Sequence, residues 1–125
     1  MLEPRDLTAY QVKEDGSHGV IAIKNDLKAL QEAVGGYIDI VRRRIGPEER
    51  VYTIVCDEEG LMKKRAFTAV VAGHKIALVG TLLVLRADGC GQLAPLSLDD
   101  IDYIQTSMYH ILAPEGGHKA VLGVL

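Results

Sequence analysis

The residues that are best able to catalyse a reaction or bind a ligand form an acidic cluster and a basic cluster a few positions apart. They are Cys56, Asp57, Glu58 and Glu59, followed by Lys63, Lys64 and Arg65. Carboxylates at a strand end can bind a cation or act as general acid and base, while basic side chains can clamp a phosphate or carboxylate. A solvated turn with an ion pair between Glu58 or Glu59 and Arg65 explains the same residues. The predicted ligand-binding residues here are Asp57, Glu58, Glu59, Lys64 and Arg65, and no catalytic residue is predicted.

Gly35, Gly36 and Tyr37 form a second candidate ligand site. The glycines would let the backbone approach a ligand closely, and the tyrosine could stack on it. Alternatively, the glycines only end a helix, because glycine adopts the left-handed conformation that closes a last turn. They do not form a phosphate-binding loop, which would need GxxxxGK[ST], or GxGxxG opening a helix.

The cysteines and histidines predict neither a nucleophile nor a metal site. Cys56 would need a nearby base, and the four histidines are scattered along the chain. We therefore expect Cys56 to be a buried strand residue. The sequence contains no C-x-x-C, H-x-x-x-H or H-E-x-x-H pair. No transition metal and no cofactor are expected.

Arg42, Arg43 and Arg44 end a predicted strand, with Arg42 and Arg44 on one face and Arg43 on the other. With residues 63–65 they could grip phosphates, although a solubilising strand end is a simpler explanation. A net charge of −3, a single phenylalanine and the lack of tryptophan argue against general nucleic-acid binding. The expected partner is a small anionic ligand or a host protein.

Length and composition predict one domain over residues 1–125. The 125 residues are 48% hydrophobic, which suffices for one core. The first residues show no secretory apolar region, and the two cysteines are expected to be reduced thiols in the cytoplasm. The longest apolar run, residues 76–85, is about half of the roughly 20 residues that span a membrane. No membrane partner is expected.

The first half of the chain predicts the order ββαββ. Strand-like runs cover residues 7–13, 20–23, 37–43 and 51–56. Between the second and third runs, Asn25 or Asp26 can cap a short helix with apolar residues at helical spacing. Gly46 and Pro47 lie in a polar loop between the last two runs, which predicts a hairpin.

The second half predicts fewer elements. Residues 61–79 are expected to be irregular with one short element, and residues 80–86 to form a central strand buried on both faces. Ser97 then caps a helix with Asp99 and Asp100 in its first turn. The predicted buried side of this helix carries Ile101, Ile104, Met108 and Ile111. Residues 114–125 form a loosely docked tail or a final strand. The predicted class is α+β: a small, mixed, mainly antiparallel sheet with two helices packed on it.

Four sequence blocks together resemble a known family. They are NDLKALQEAVGGYIDIV, VYTIVCDEEG, VGTLLVL and SLDDIDYI, with a basic segment containing Lys64 and Arg65 after the second block. In this order, over residues 7–104, they resemble the bacterial and phage domain of unknown function DUF3846. The resemblance implies a small α+β protein of a phage or mobile element and no assigned reaction. Asp57 and Lys64 stand where the family pattern has asparagine, so no role of those asparagines transfers.

Three functions are compatible with these residues. The first is a non-enzymatic binding or regulatory domain that sequesters a small anionic ligand, such as a signalling nucleotide, or binds a host protein. The second is a small hydrolase or transferase with Glu58 or Glu59 as base and Arg65 as anion clamp. The third is a module that forms a homo-oligomer through an exposed apolar surface of the C-terminal VLGVL. We favour the first, because the sequence contains no catalytic constellation.

Overall fold

The computed structural model describes residues 6–59, 67–71, 77–112 and 118–124, which hold ten strands and two helices. In chain order they are β1 (Asp6–Val12), β2 (His18–Lys24), α1 (Leu27–Val34), β3 (Ile38–Ile45), β4 (Arg50–Asp57), β5 (Phe67–Val71), β6 (Ala77–Val79), β7 (Leu82–Ala87), β8 (Leu93–Ala94), α2 (Leu98–Thr106), β9 (Met108–Leu112) and β10 (His118–Val124). Neither of these helices is long and apolar enough to cross a membrane. The predicted α+β class, with a mainly antiparallel sheet and two helices, is confirmed.

The strands form one sheet in the order β2-β1-β7-β4-β3-β10-β5-β6, with β8 beside β7 and β9 beside β10. The pairs between described strands are antiparallel except for β5 with β10. Strand β7 lies between β1 and β4, and its first four side chains are fully buried. The predicted central strand at residues 80–86 is confirmed, because β7 has a strand on each side and an apolar layer on each face.

Two apolar layers form the core, one on each face of the sheet. On one face, Leu30 and Val34 of α1 pack with Val55 of β4. On the other face, Ile104 of α2 packs with Ile54 of β4. Neighbouring residues of a strand point to opposite faces, so the two helices lie on opposite sides of the sheet. We refer to these sides as the α1 face and the α2 face.

Helix α1 begins and ends where the sequence indicates. The Oδ1 atom of Asp26 accepts the backbone N–H of Ala29 at 2.7 Å, which caps the first turn. Gly35 has φ 84° and donates its N–H to the carbonyl oxygen of Gln31 at 2.8 Å. The helix-ending role predicted for Gly35 is confirmed, and Asp26 rather than Asn25 is the cap.

Helix α2 is shorter than predicted, and the placement of Met108 and Ile111 on its buried side was wrong. The helix ends at Thr106, and Met108 begins β9. The hydroxyls of Thr106 and Ser107 both donate to the carbonyl oxygen of Tyr103, at 2.8 and 2.9 Å, and so compete with helical bonding there. Strand β9 then pairs with β10, from Met108 opposite Leu122 to Leu112 opposite His118. This long-range pairing overrides the local helical periodicity.

The expectation of one short element within residues 61–79 was also wrong. Strands β5 and β6 both lie in this stretch and pair with each other, with a register shift between Phe67 and Ala69. Strand β5 also pairs in parallel with the C-terminal β10. These strands depend on a partner near the end of the chain, which the local sequence of residues 61–79 does not reveal.

The C-terminal residues contribute to the core of this chain. Val121 and Leu122 in β10 are fully buried. Gly123 lies against the ring of Tyr109, so close that a Cβ atom at Gly123 would overlap it. The expectation that VLGVL presents an exposed apolar surface for oligomerisation is therefore wrong for these residues.

Tyr103 of α2 anchors the turn between β3 and β4. Its hydroxyl donates to the carbonyl oxygen of Ile45 at 2.6 Å and accepts the N–H of Glu48 at 3.0 Å. Gly46 has φ 73°, and a Cβ atom there would overlap the Tyr103 hydroxyl and crowd Ser107. Both the backbone conformation and the close approach of α2 therefore require glycine at this position.

Gly46→Ala should destabilise the protein more than Gly91→Ala. Both glycines have a left-handed φ, 73° and 81°, so both variants incur a backbone penalty of roughly 1–2 kcal/mol. Nothing lies within 4 Å of a Cβ at Gly91, whereas Gly46 meets Tyr103. We expect an additional loss of about 1–3 kcal/mol for Gly46→Ala, measured as the free energy of unfolding in urea. Equal losses would contradict the packing of Tyr103 on this turn.

Candidate functional site

The structure brings the predicted site at residues 35–37 and the predicted acidic cluster at residues 57–59 together at one end of the β3–β4 hairpin. Residues 35–37 precede β3, and Asp57 to Glu59 end β4 and continue into the following turn. The N–H of Glu58 donates to the carbonyl oxygen of Tyr37 at 2.8 Å, next to the pair of Ile38 and Asp57. Lys64 and Arg65 lie outside the described residues. Gly35, Gly36, Tyr37, Asp57, Glu58 and Glu59 therefore share one surface region.

This end of the hairpin is acidic. Asp57 is buried, with 5% of its surface exposed, and its Oδ1 atom accepts the N–H of Glu59 at 2.9 Å. Glu58 and Tyr37 are exposed. Asp57 is therefore a buried residue at the end of β4. Within the described ranges, no three His, Cys, Asp or Glu side chains come close enough to hold a metal ion.

Cys56 is buried in β4, as predicted, and is a poor nucleophile. Burial raises the pKa of its thiol to about 11, and the nearby carboxylate of Asp39 contributes to the increase. Such a thiol stays protonated at neutral pH, whereas the thiolate is the reactive form. Cys56 and the exposed Cys90 are both free thiols.

A second cluster, which the sequence analysis did not identify, lies near the turn end of the hairpin. A cleft of about 480 Å³ is lined by Arg50, Val51, Tyr52, Arg86, Asp99 and Asp100, and we call it the arginine cleft. Strand β4 pairs with β7 at Thr53 opposite Leu85, and Tyr52 and Arg86 are the adjacent residues of the two strands just beyond this pair. The first turn of α2 supplies the two aspartates. At about 3.3 Å per residue, β4 separates this cleft from Asp57 by roughly 15–20 Å.

Asp100 occupies the centre of the arginine cleft and is 1% exposed. Its Oδ1 atom accepts the Tyr52 hydroxyl at 2.9 Å and Nη1 of Arg86 at 3.0 Å. Its Oδ2 atom accepts the backbone N–H and the hydroxyl of Ser97, at 2.9 and 2.8 Å. Ser97 Oγ in turn accepts the N–H of Asp100, which completes a capping box at the start of α2. The predicted cap at Ser97 is confirmed, and Asp100 has further partners on β4 and β7.

These contacts set the charge state of the Asp100 carboxyl. Burial acts to raise its pKa, but the hydrogen bonds from Ser97, Tyr52 and Arg86 outweigh burial and lower the pKa to about 2. Burial also raises the pKa of the Tyr52 hydroxyl to about 12, and its bond to Asp100 contributes. At neutral pH, Asp100 is therefore ionised and Tyr52 is protonated.

Arg86 is held by Asp100 through one nitrogen and keeps its other donors. Its Nη1 atom lies 3.0 and 3.1 Å from the two carboxylate oxygens, and 54% of the side chain is exposed. Nε and Nη2 donate to no residue in the part of the chain that the structure describes. Guanidinium presents five N–H donors in a planar fork that matches phosphate and carboxylate. Arg86 is thus fixed in position and still able to bind an anion.

Arg50 is more fully engaged by the protein. Its guanidinium lies over the ring of Tyr103, 4.1 Å from the centroid. Nη1 donates to Asp99 at 2.9 Å, and Nε donates to Glu48 at 3.1 Å. Hydrogen bonds with Tyr52 and Asp99 raise the pKa of Arg50. Arg50 is therefore paired with two carboxylates, Glu48 and Asp99, whereas Arg86 is paired with Asp100 alone among the described residues.

The arginine cleft was missed because its residues come from three separated elements. Arg50 begins β4, Arg86 lies near the end of β7, and Asp99 and Asp100 start α2. No motif has this spacing. The one local signal is the pair of aspartates after Ser97, and the favourable interaction of acidic residues with the positive end of a helix dipole already accounts for that pair.

Most of the chain matches a known family model. A family model described as "Domain of unknown function (DUF3846)" matches residues 7–109. The matched region includes the β3–β4 hairpin, β7 and α2. It therefore contains both the acidic end of the hairpin and the arginine cleft. No curated protein and no solved structure matches the chain.

Asp100→Asn should destabilise the protein by about 2–4 kcal/mol at neutral pH. An uncharged amide has one acceptor oxygen in place of two charged ones, so it cannot accept all of these hydrogen bonds. The folded-state pKa of Asp100, about 2, lies below the ordinary 3.8. Its stabilisation is therefore present above about pH 4 and is lost as the pH falls through about 2. The difference in unfolding free energy between wild type and variant should shrink over this range.

Asp102→Asn is the matched control, since Asp102 is an exposed carboxylate on the same helix. We expect its effect to stay within about 0.5 kcal/mol at neutral pH. A difference for Asp100→Asn that is independent of pH would contradict the buried ionised network.

Proposed function

This chain belongs to the DUF3846 family of domains of unknown function, and we propose that it is a non-enzymatic binding domain that holds a small phosphate-bearing ligand at Arg86. The observation that carries the proposal is a half-exposed guanidinium fixed by the buried carboxylate of Asp100 at the wall of a cleft. We further propose a cytoplasmic protein of a phage or mobile element, as the family resemblance implies. Its two free thiols favour a reducing compartment.

The geometry of Arg86 supports anion binding in two ways. A side chain that is already held in place loses less conformational freedom when a ligand binds, which favours affinity. The planar fork also suits a phosphate group better than a point charge does. A cleft of about 480 Å³ is within the usual range for small-molecule sites. These features favour a ligand of the size of a nucleotide or smaller, bound by its phosphate.

The acid–base properties of the cleft favour binding over turnover. A general acid or base works best with a pKa near the operating pH. Asp100 has a pKa of about 2 and Tyr52 a pKa of about 12, so neither exchanges protons readily at neutral pH. Glu58 and Glu59, the predicted bases of the hydrolase alternative, lie beyond Asp57 at the other end of β4. They are too far away to act on a phosphate held by Arg86.

The acidic end of the hairpin remains a predicted ligand-binding region, and its charge is opposite to that of Arg86 in the arginine cleft. Asp57, Glu58 and Glu59 would repel an anion, and the basic residues predicted to offset them, Lys64 and Arg65, lie outside the described residues. Gly35, Gly36 and Tyr37 stay candidates for contact there. The arginine cleft has its own positive group and needs no contribution from that end.

Arg86→Gln should weaken the stabilisation of the protein by phosphate-bearing ligands. The wild type is screened by thermal shift against inorganic phosphate, nucleoside monophosphates and cyclic dinucleotides, and hits are titrated by calorimetry. A ligand at about 100 times its Kd adds roughly 2.7 kcal/mol of stability. We expect Arg86→Gln to raise the Kd at least about tenfold, and Arg86→Lys to raise it less, since the charge is kept.

Arg42→Gln is the charge-matched control, because Arg42 is exposed on β3 and its side chain lies on the α1 face, away from the cleft. It should leave the Kd unchanged. Equal losses in Arg42→Gln and Arg86→Gln would show a general charge effect and overturn the assignment of the site. So would the lack of any stabilising anion.

Bound ligand should be recovered chemically intact. After prolonged incubation of the protein with a hit, mass spectrometry is expected to show only the starting compound, because neither Asp100 nor Tyr52 has a pKa near neutrality. Glu58→Gln and Glu59→Gln should bind as the wild type does. Conversion of the ligand that disappears in either variant would instead favour the hydrolase or transferase hypothesis.

A further inference from the structure

Strand β2 lies at one edge of the sheet, and no described strand pairs with its outer side. Its inner side pairs with β1 over its whole length, from Asp6 opposite Lys24 to Val12 opposite His18. At the turn, the N–H of Lys13 donates to the carbonyl oxygen of Ser17 at 2.9 Å. Because hydrogen-bonded pairs alternate along an antiparallel ladder, the residues that direct their N–H and C=O groups outward are His18, Val20, Ala22 and Lys24.

This edge lacks the features that usually block strand addition. Natural edge strands are protected by proline, bulges or several charges. Here the register is uninterrupted, and the centre of the strand presents Val20, which is 48% exposed, and the exposed Ala22. The charge of Lys24 has Asp6 opposite it on β1. The outer side of β2 is thus uncharged at its centre and close to charge-balanced at its end.

We propose that β2 pairs with β2 of a second copy of this chain, in an antiparallel arrangement with its twofold axis at Ile21. Outward-directed residues must meet outward-directed residues, and the register about Ile21 satisfies this condition. Val20 then lies opposite Ala22 of the second copy, so a larger side chain meets a smaller one. His18 lies opposite Lys24 of the second copy, at each end. The two sheets become continuous through main-chain hydrogen bonds.

The same features of β2 favour a second copy of this chain over a different partner at this edge. An isologous interface requires a surface that is complementary to itself. In the register about Ile21, β2 is complementary to a second β2, and no lysine lies opposite another lysine. An edge adapted to an acidic peptide would carry more positive charge at its centre. Dimerisation through the C-terminal VLGVL segment is not favoured, because Val121 and Leu122 are buried within the chain. Strand β1 lies between β2 and β7, which carries Arg86, and β2 contributes no residue to the arginine cleft.

The test uses paired charge variants of the full chain in analytical ultracentrifugation. The wild type should approach twice 13.6 kDa as its concentration rises. Val20→Lys with Ala22→Lys should be monomeric, and so should Val20→Glu with Ala22→Glu, because like charges meet across the axis. An equimolar mixture should restore a dimer of one copy of each, since every lysine then meets a glutamate. Ile40→Lys, at a half-exposed position of β3, should associate as the wild type does.

A wild type that keeps a mass of 13.6 kDa at millimolar concentration would overturn the proposal. The same holds if the lysine variant still dimerises, or if the mixture stays monomeric. Hydrogen exchange on the wild type gives a readout that needs no variant. Protection of the Val20 and Ala22 amides should rise with protein concentration, while protection in β7 should not. The monomeric variants should still bind at Arg86, so failure of this inference and failure of the proposed function are distinguishable.

Discussion

The buried carboxylate of Asp100 is the interaction on which the rest of the structure most depends. A charge with 1% exposure is tolerated only when its acceptor sites are filled, and donors from three elements fill them. Ser97 belongs to the start of α2, Tyr52 to β4 and Arg86 to β7. One ionised group therefore caps a helix and joins it to two strands of the sheet.

This arrangement also explains how a structural network can present a binding group. Arg86 bonds to Asp100 through Nη1, and its position near the end of β7 leaves the rest of its guanidinium in the cleft. Arg50 fills a complementary role, because its stack on Tyr103 and its bond to Asp99 fix the turn of the hairpin to α2. Arg50 and Arg86 are the same residue type, but they differ in how many of their N–H donors are free to bind a ligand. Only the contacts of each guanidinium reveal that difference.

The β3–β4 hairpin separates two chemically different regions. Its open end carries the acidic residues after Asp57, while its turn end carries the arginine cleft. Gly46 and Tyr103 hold the turn end against α2, and the open end abuts the end of α1 at Gly35. The hairpin thus places the acidic cluster and the arginine cleft at opposite ends of β4.

The sequence by itself determined the elements whose signals are local. Gly35 ends α1, Ser97 caps α2, the polar loop with Gly46 and Pro47 between two strand-like runs predicts a hairpin, and the apolar run of β7 predicts a central strand. Four blocks in order also identified the family. The tertiary structure alone decided where α2 ends, that Asp57 is buried, and that Arg86 meets Asp100. Caps, turns and periodicity act within a few residues, whereas strand register and the burial of a charge depend on partners distant in the chain.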